Sequence, residues 1–379
     1  MNFRLQKPAA FIGALMLVLL AGCDRIAQDS RTGTNPQSAI RNPQLVFPEH
    51  GIYAGAYAEF GDREDSVTLE KIAGFDRLVG KEQALVASSS YWGEGTFPKA
   101  NMELIARYGA VPLVFWSPWD RPYVEGLGPD KYSLTRIIAG EHDAYIDMWA
   151  DAARAFAWPL IVSFANEPNG SWFPWSGVHY GGESLESVEN ADDEFVTFHY
   201  EGPEIFKRAW RHVVDRVRAR GAKNVQFVLH LMDYSDPQEE WNLAESYYPG
   251  ADYVDWLGFS LYGDQFAIDE GWAEFFPLFD WPYTELCLLD PQKPIMVCEW
   301  GCGEFPGKGS KAQWIRDGFR WMKDAKKYPR LKACVFWHER WQNEDQTYSN
   351  LRVNSTPESQ QAYREGVGDS FFLGRPILK

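Results

Sequence analysis

Two glutamates close apolar runs at places where a carboxylate has no ordinary packing use. Glu167 follows Ile161-Val162-Ser163-Phe164-Ala165-Asn166, and Glu299 follows Ile295-Met296-Val297-Cys298. A carboxylate at the end of a buried strand costs free energy unless it is paired or used. A salt bridge or a helix cap accounts for one such residue as well as catalysis does. Two of them on strands of one sheet suit a division of labour, with an acid and a carboxylate flanking a glycosidic bond. In hydrolysis with retention of configuration, Glu167 would protonate the leaving oxygen and later take a proton from water. Glu299 would attack the anomeric carbon.

Such a pair needs a frame that brings distant strand ends together. Eight short apolar runs recur, at 52–56, 84–88, 111–116, 160–165, 225–230, 254–260, 295–299 and 333–337. Amphipathic stretches separate most of them, including 143–156, with Tyr145, Ile146, Trp149 and Ala153 on one face, as well as 206–218 and 313–326. Helix signals are short in the second half of the fifth unit and in the sixth. Strand alternating with helix predicts a parallel sheet. Eight units predict an α/β fold closed as a (β/α)8 TIM barrel, in which chemistry sits at the C-terminal strand ends. Glu167 then ends strand four and Glu299 strand seven, facing each other across the mouth.

The motif around Glu167 is specific. Asn166-Glu167-Pro168, with a Glu ending strand seven, is similar to the clan A glycoside hydrolases. Asn166 to Trp175, read Asn-Glu-Pro-Asn-Gly-Ser-Trp-Phe-Pro-Trp, resembles the strand-four motif of glycoside hydrolase family 26, best known for β-mannanases. The stretches 111–116, 140–159, 254–263 and 351–355 resemble further parts of that family. Two positions depart from it: Asn166 stands where the family usually has His, and Ser163 where it usually has Arg. The resemblance implies a retaining β-glycosidase acting on β-1,4-mannan or a related glycan. β-1,3-1,4-Glucan, xylan and an exopolysaccharide stay open as substrates, and a catalytically dead sugar-binding lipoprotein is the rival from another class. The expected roles are a hydrogen bond from Tyr262 to Glu299, sugar binding by Asn166, a subsite floor at Trp337, and cleft lining by Trp172 and Trp175. Trp116 and Trp92 are candidates of the same kind, balanced against core packing, and His230 is a candidate for contact with a substrate hydroxyl.

The ends carry a separate message. Arg4 and Lys7 precede an apolar run over 9–20, and Leu20-Ala21-Gly22-Cys23 resembles a bacterial lipoprotein box. Twelve residues are too few for a permanent span, so residues 1–22 read as a signal peptide and Cys23 as a lipidated anchor. Residues 23–50 read as a polar tether, and residues 51–379 as one catalytic domain. The expected location is therefore exported and lipid-anchored to a bacterial membrane, as a monomer.

The formal charge is −16, and losing Arg4 and Lys7 makes it −18. That balance argues against nucleic acid as a partner and suits a neutral or cationic ligand such as a polysaccharide. Seventeen Trp are more than packing usually asks for, and lean the same way. The seven His are scattered, so neither a metal nor a cofactor is expected. Cys287, Cys298, Cys302 and Cys334 leave three pairings, or free thiols, open.

Overall fold

A computed structural model of the chain describes residues 43–122, 128–189, 196–269, 271–343 and 345–379. Cys23, the signal peptide and most of the expected tether lie outside these residues. The eight expected strands are present as β1 (Ile52–Ala58), β2 (Leu85–Tyr91), β3 (Val111–Ser117), β4 (Leu160–Phe164), β5 (Val225–Met232), β6 (Trp256–Tyr262), β7 (Ile295–Gly301) and β8 (Leu331–His338). Each pairs in parallel with the next, and β8 pairs with β1 from Tyr53↔Ala333 to Ala58↔His338, closing a barrel. The strands are buried along almost their whole length. That is the physical reason they read as continuous apolar runs rather than alternating ones.

Helices cover the outside: α1 (Leu69–Val79), α2 (Lys99–Tyr108), α3 (Leu134–Ile138), α4 (Asp143–Phe156), α5 (Glu201–Ala219), α6 (Phe275–Leu289), α7 (Lys311–Met322) and α8 (Pro357–Gly368). Local chemistry sets their ends. The Thr68 side chain accepts from the Lys71 N–H at the start of α1, and Gly80 ends that helix with φ +75. No α-helix lies between β5 and β6, where three short 3-10 turns make the crossover. The sixth crossover does carry a helix, α6. Its signal is blurred because apolar residues run round most of it, leaving Trp281 and Leu288 exposed. Among the described residues no helix is long and apolar enough to cross a membrane.

The folded body starts earlier than residue 51. Gln44 and Lys379 exchange backbone hydrogen bonds of 2.8 and 3.0 Å, and Val46 N–H reaches Ile377 O at 3.0 Å. Phe47 packs edge-on against Trp256, the first residue of β6, and Lys332 Nζ donates to Pro48 O. Leu45 and Val46 supply the apolar contact that the polar surroundings of 23–50 concealed. This segment crosses the floor of the barrel, at the N-terminal ends of the strands.

The four described cysteines are free thiols, and three are buried.

Candidate active site

The chain leaves β4 through two left-handed residues that are not glycine, Ala165 at φ +46 and Glu167 at φ +55. Such backbone is uncommon for residues with a side chain and has to be held by its surroundings. The Glu167 N–H donates to His230 O at 2.7 Å, and Gly170 N–H returns to Glu167 O at 3.1 Å. Asn169 stitches this turn to the end of β5, its Oδ1 accepting from Met232 N–H at 2.9 Å. Trp175 braces it from below. Its Nε1 donates to Asn166 O at 2.6 Å, and its ring stacks on Phe173 with centroids 4.5 Å apart.

The Glu167 side chain is fully buried. Ser260 Oγ donates to its Oε1 at 2.5 Å and Trp172 Nε1 to its Oε2 at 2.9 Å. The Trp172 indole reaches this position by lying over Gly170. A Cβ at Gly170 would stand 2.5 Å from Cζ2 of the ring, so no other residue fits there without displacement.

Glu299 comes from the far side of the barrel. The β6–β7 register shifts between Phe259↔Val297 and Ser260↔Glu299, leaving Cys298 as an extra residue. A bulge of this kind re-aims the side chains around it. Cys298 is accommodated because Gly258 has no Cβ to meet its sulfur. Tyr262 Oη donates to Glu299 Oε2 in a short hydrogen bond. Glu299 is only 2% exposed. One carboxylate oxygen of Glu167, one of Glu299 and one His230 ring nitrogen lie within 4.8 Å of one another.

A hollow opens on each side of the pair. One is lined by Glu299, Asn166, Trp337, Phe115, Trp119 and Glu64 among others, the other by Glu167, Trp172, Tyr262, Tyr234, Gln265 and neighbours. Beyond Tyr234 the second hollow continues into a groove along Asp233, Glu240 and Glu285, flanked by the exposed Trp281. None of the residues lining these three hollows is Lys or Arg. Burial, and next the charge of Glu167, push the Asp233 carboxyl well above the usual carboxylate range.

The structure therefore brings Glu167, Glu299, Asn166, Trp172, Tyr262 and Trp337 together at the mouth. It places the other candidates elsewhere. Trp116 faces outward from β3, where it stacks on Trp149 of α4 at 4.2 Å and donates to Tyr145 Oη. Trp92 packs into the same layer. Trp175 is a brace under the turn rather than cleft lining, being 1% exposed. His230 is likewise 1% exposed and lies behind Glu167. Its Nδ1 is 3.0 Å from Ser163 Oγ and its Nε2 is 2.7 Å from Ser260 Oγ. Glu167, His230 and Glu299 are the group that could hold a metal ion among the described residues. Both imidazole nitrogens, however, are already engaged with serine hydroxyls.

Three site residues had no individual signal in the sequence. Glu64, 7% exposed, accepts from Ser89 Oγ at 2.7 Å on the wall of the first hollow. Ser260 holds Glu167, and Glu339 accepts from Trp337 Nε1 at 3.0 Å. The one available hint was the buried triplet Ser88-Ser89-Ser90 at the end of an otherwise apolar strand.

A closed parallel barrel with two opposed glutamates at its mouth is an arrangement in which a pair of carboxyls can flank a glycosidic bond. Residues 135–280 match the pattern that defines glycosyl hydrolase family 26. It is 26% identical over 300 residues to Endoglucanase H of Acetivibrio thermocellus, a match covering 78% of this chain and 29% of that protein. Over 256 residues it is 22% identical to a mannan endo-1,4-beta-mannosidase of Bacillus subtilis, covering 66% of this chain and 58% of that protein. The chain thus spans less than two thirds of the length of either relative. Among solved structures it resembles a Cellulomonas fimi endo-beta-1,4-mannanase double mutant, with TM-score 0.56 and 17% identity over 85% of this chain and 72% of that one. It also resembles the YdhT protein of Bacillus subtilis, with TM-score 0.56 and 16% identity over 86% and 88%.

Proposed function

We propose that this chain is a retaining β-glycoside hydrolase that cuts a β-linked polysaccharide, with β-1,4-mannan or a related glycan as substrate. Glu167 acts as acid/base and Glu299 as nucleophile. The observation that carries this reading is the approach of the two carboxylates to within 4.8 Å. Retaining enzymes hold their carboxyls about 5–5.5 Å apart, whereas inverting ones leave about 6.5–9.5 Å for a water.

The surroundings support the assignment of roles. Tyr262 stabilises Glu299 as a carboxylate by donating to it, as a nucleophile needs. Glu167 stands beside the groove that leads past Tyr234, where the leaving half of the chain would lie. Asn166 and Trp337 border the hollow on the Glu299 side, where the sugar that becomes bound to the enzyme would sit. First Glu299 attacks the anomeric carbon as Glu167 gives its proton to the departing oxygen. Water then attacks from the face the leaving group vacated, with Glu167 taking its proton.

Attachment through a lipidated Cys23 belongs to the same proposal. The lipoprotein-like box ends in register with the apolar run, and an exported tethered enzyme would meet polymer outside the cell. Reducing-sugar release from mannan, glucan and xylan, with the first product followed by NMR, tests the activity. The expected result is cleavage of a β-glycan with a β product. No release from any β-glycan, or an α product in the first minutes, refutes it.

A further inference from the structure

A line of hydrogen bonds runs away from the cleft behind Glu167. Ser260 Oγ donates to Glu167 Oε1 at 2.5 Å, His230 Nε2 lies 2.7 Å from the same hydroxyl, and His230 Nδ1 lies 3.0 Å from Ser163 Oγ. The three supporting residues come from β4, β5 and β6, and none of the four is more than 1% exposed. His230 also accepts the Glu167 N–H through its backbone oxygen. It therefore grips the acid/base residue at both main chain and side chain without reaching the cleft.

Each link in this line can reverse its sense. A serine hydroxyl donates and accepts, and an imidazole does both. With Glu167 ionised, Ser260 donates to the carboxylate and His230 Nε2–H donates to Ser260. With the Glu167 proton on Oε1, that O–H donates to Ser260, which donates to Nε2. A proton then moves along the line without net loss. The Glu167 O–H bond breaks as Ser260 takes that proton, and the Ser260 proton forms the N–H bond at Nε2. Glu167 is left as carboxylate and His230 as imidazolium, whose Nδ1–H donates to Ser163.

We propose that His230 shares the catalytic proton with Glu167 through Ser260, so that the acid/base of this chain is a Glu–Ser–His unit. The inference rests on the reading of Glu167 as acid/base. His230 is in this sense a positioning residue, acting through Glu167 and touching no sugar. The charge around the unit favours it. Glu299, from β7, brings a carboxylate to within 4.8 Å of both Glu167 and the imidazole. The other titratable neighbours add little negative charge near neutral pH. Burial raises the Asp233 carboxyl beyond β5 and the Cys298 thiol on β7, and Tyr262 is a phenol donating to Glu299. The Phe115 ring, 5.7 Å from the imidazole, closes the β3 side.

The consequence has a definite sign. A pair of coupled bases loses its last proton at a higher pH than either base would alone. Without the imidazole, the acid is lost at lower pH. His230→Gln retains an amide donor toward Ser260 but cannot take up a proton, and Ser260→Ala cuts the line while leaving the imidazole in place. Rate–pH profiles of kcat/KM should be measured for both on polysaccharide and on an aryl glycoside with an activated leaving group. In both variants the alkaline limb is expected at lower pH. The loss on polysaccharide should be about tenfold or more, and the loss on the aryl substrate distinctly smaller, because general acid help matters only for the poor leaving group. Equal losses on the two substrates with an unmoved alkaline limb would overturn the proposal and leave His230 a packing residue. If His230→Gln does not fold, Ser260→Ala carries the same test. Glu167→Ala separates the two levels. If it lacks leaving-group selectivity, the acid/base reading itself fails; if it has the selectivity and the other two variants lack it, only the shared proton fails.

Discussion

Trp337 lies flat on Tyr57, with ring centroids 4.1 Å apart and planes inclined by 17°. The two are direct partners in the register that closes the barrel between β8 and β1. With Glu339 holding the indole N–H, the Trp337 face is fixed before any sugar arrives. Trp337→Ala should cost one to two orders of magnitude in kcat/KM, roughly 1–3 kcal/mol, through lost contact and orientation. Tyr57→Phe keeps the stack and should stay near wild type, whereas Tyr57→Ala should lose activity although Tyr57 is buried away from the cleft. Steady-state kinetics on one polysaccharide decide it, and equal activity in all three variants would show that the platform does not matter.

On the proposed mechanism, replacing Glu299 and replacing Glu167 should give different phenotypes. Glu299→Ala removes the nucleophile and should abolish turnover of every substrate. Glu167→Ala should lose about 100- to 10,000-fold on polysaccharide but keep the first step on an activated aryl glycoside, so that the glycosyl-enzyme accumulates. Mass spectrometry detects that intermediate, and added azide should speed its breakdown. Full polysaccharide activity in Glu167→Ala would remove that residue from its assigned role.

The cleft walls carry Glu64, Glu239 and Glu240 with no lining Lys or Arg. Like charges brought together at a binding surface cost several kcal/mol. A carboxymethylated glycan should therefore be cut at least about tenfold less efficiently than its neutral parent, and added salt should narrow the gap by screening. Comparable rates at low salt would count against charge selection.

His338 is a buried imidazole whose Nδ1 accepts the Val353 N–H at 3.0 Å. Burial, followed by the charges of Arg352 and Lys311, pushes it down from its ordinary 6.5 to about 3. A depressed folded value means that the unfolded chain binds the proton first. The contribution to stability is thus complete above about pH 6.5 and is lost as the pH falls toward 3, on the order of 5 kcal/mol in all. Urea unfolding between pH 7 and pH 4 should show this slope. His338→Asn, which can keep an acceptor near the Val353 N–H, should flatten it; an unchanged slope would place the acid sensitivity elsewhere.

Cys23→Ser should release the exported protein from membranes if the residue is lipidated. Fractionation with membranes unchanged in that variant would end the anchor reading.

The barrel was legible because strands buried on both faces leave unbroken apolar runs, and the two glutamates were legible because each interrupts such a run at its end. What stayed hidden depended on facts that spacing does not carry. Phe115 and Trp116 are adjacent and both aromatic, yet alternation along β3 sends Phe115 to the cleft and Trp116 to α4. The run alone does not say which parity faces inward. Glu64 sits among Asp62, Arg63 and Asp65, a string that reads as a solvated loop until the fold turns it back onto Ser89. His230 was visible as a strand-end histidine, but its distance from the cleft depends on Ser163 and Ser260, which come from two other strands.

The segment over 44–48 crosses the barrel floor, on the face opposite the glutamates. Pro43, where the described chain begins, therefore lies at the end of the barrel opposite the opening, so the segment over 44–48 does not obstruct the approach of a polymer to the glutamates.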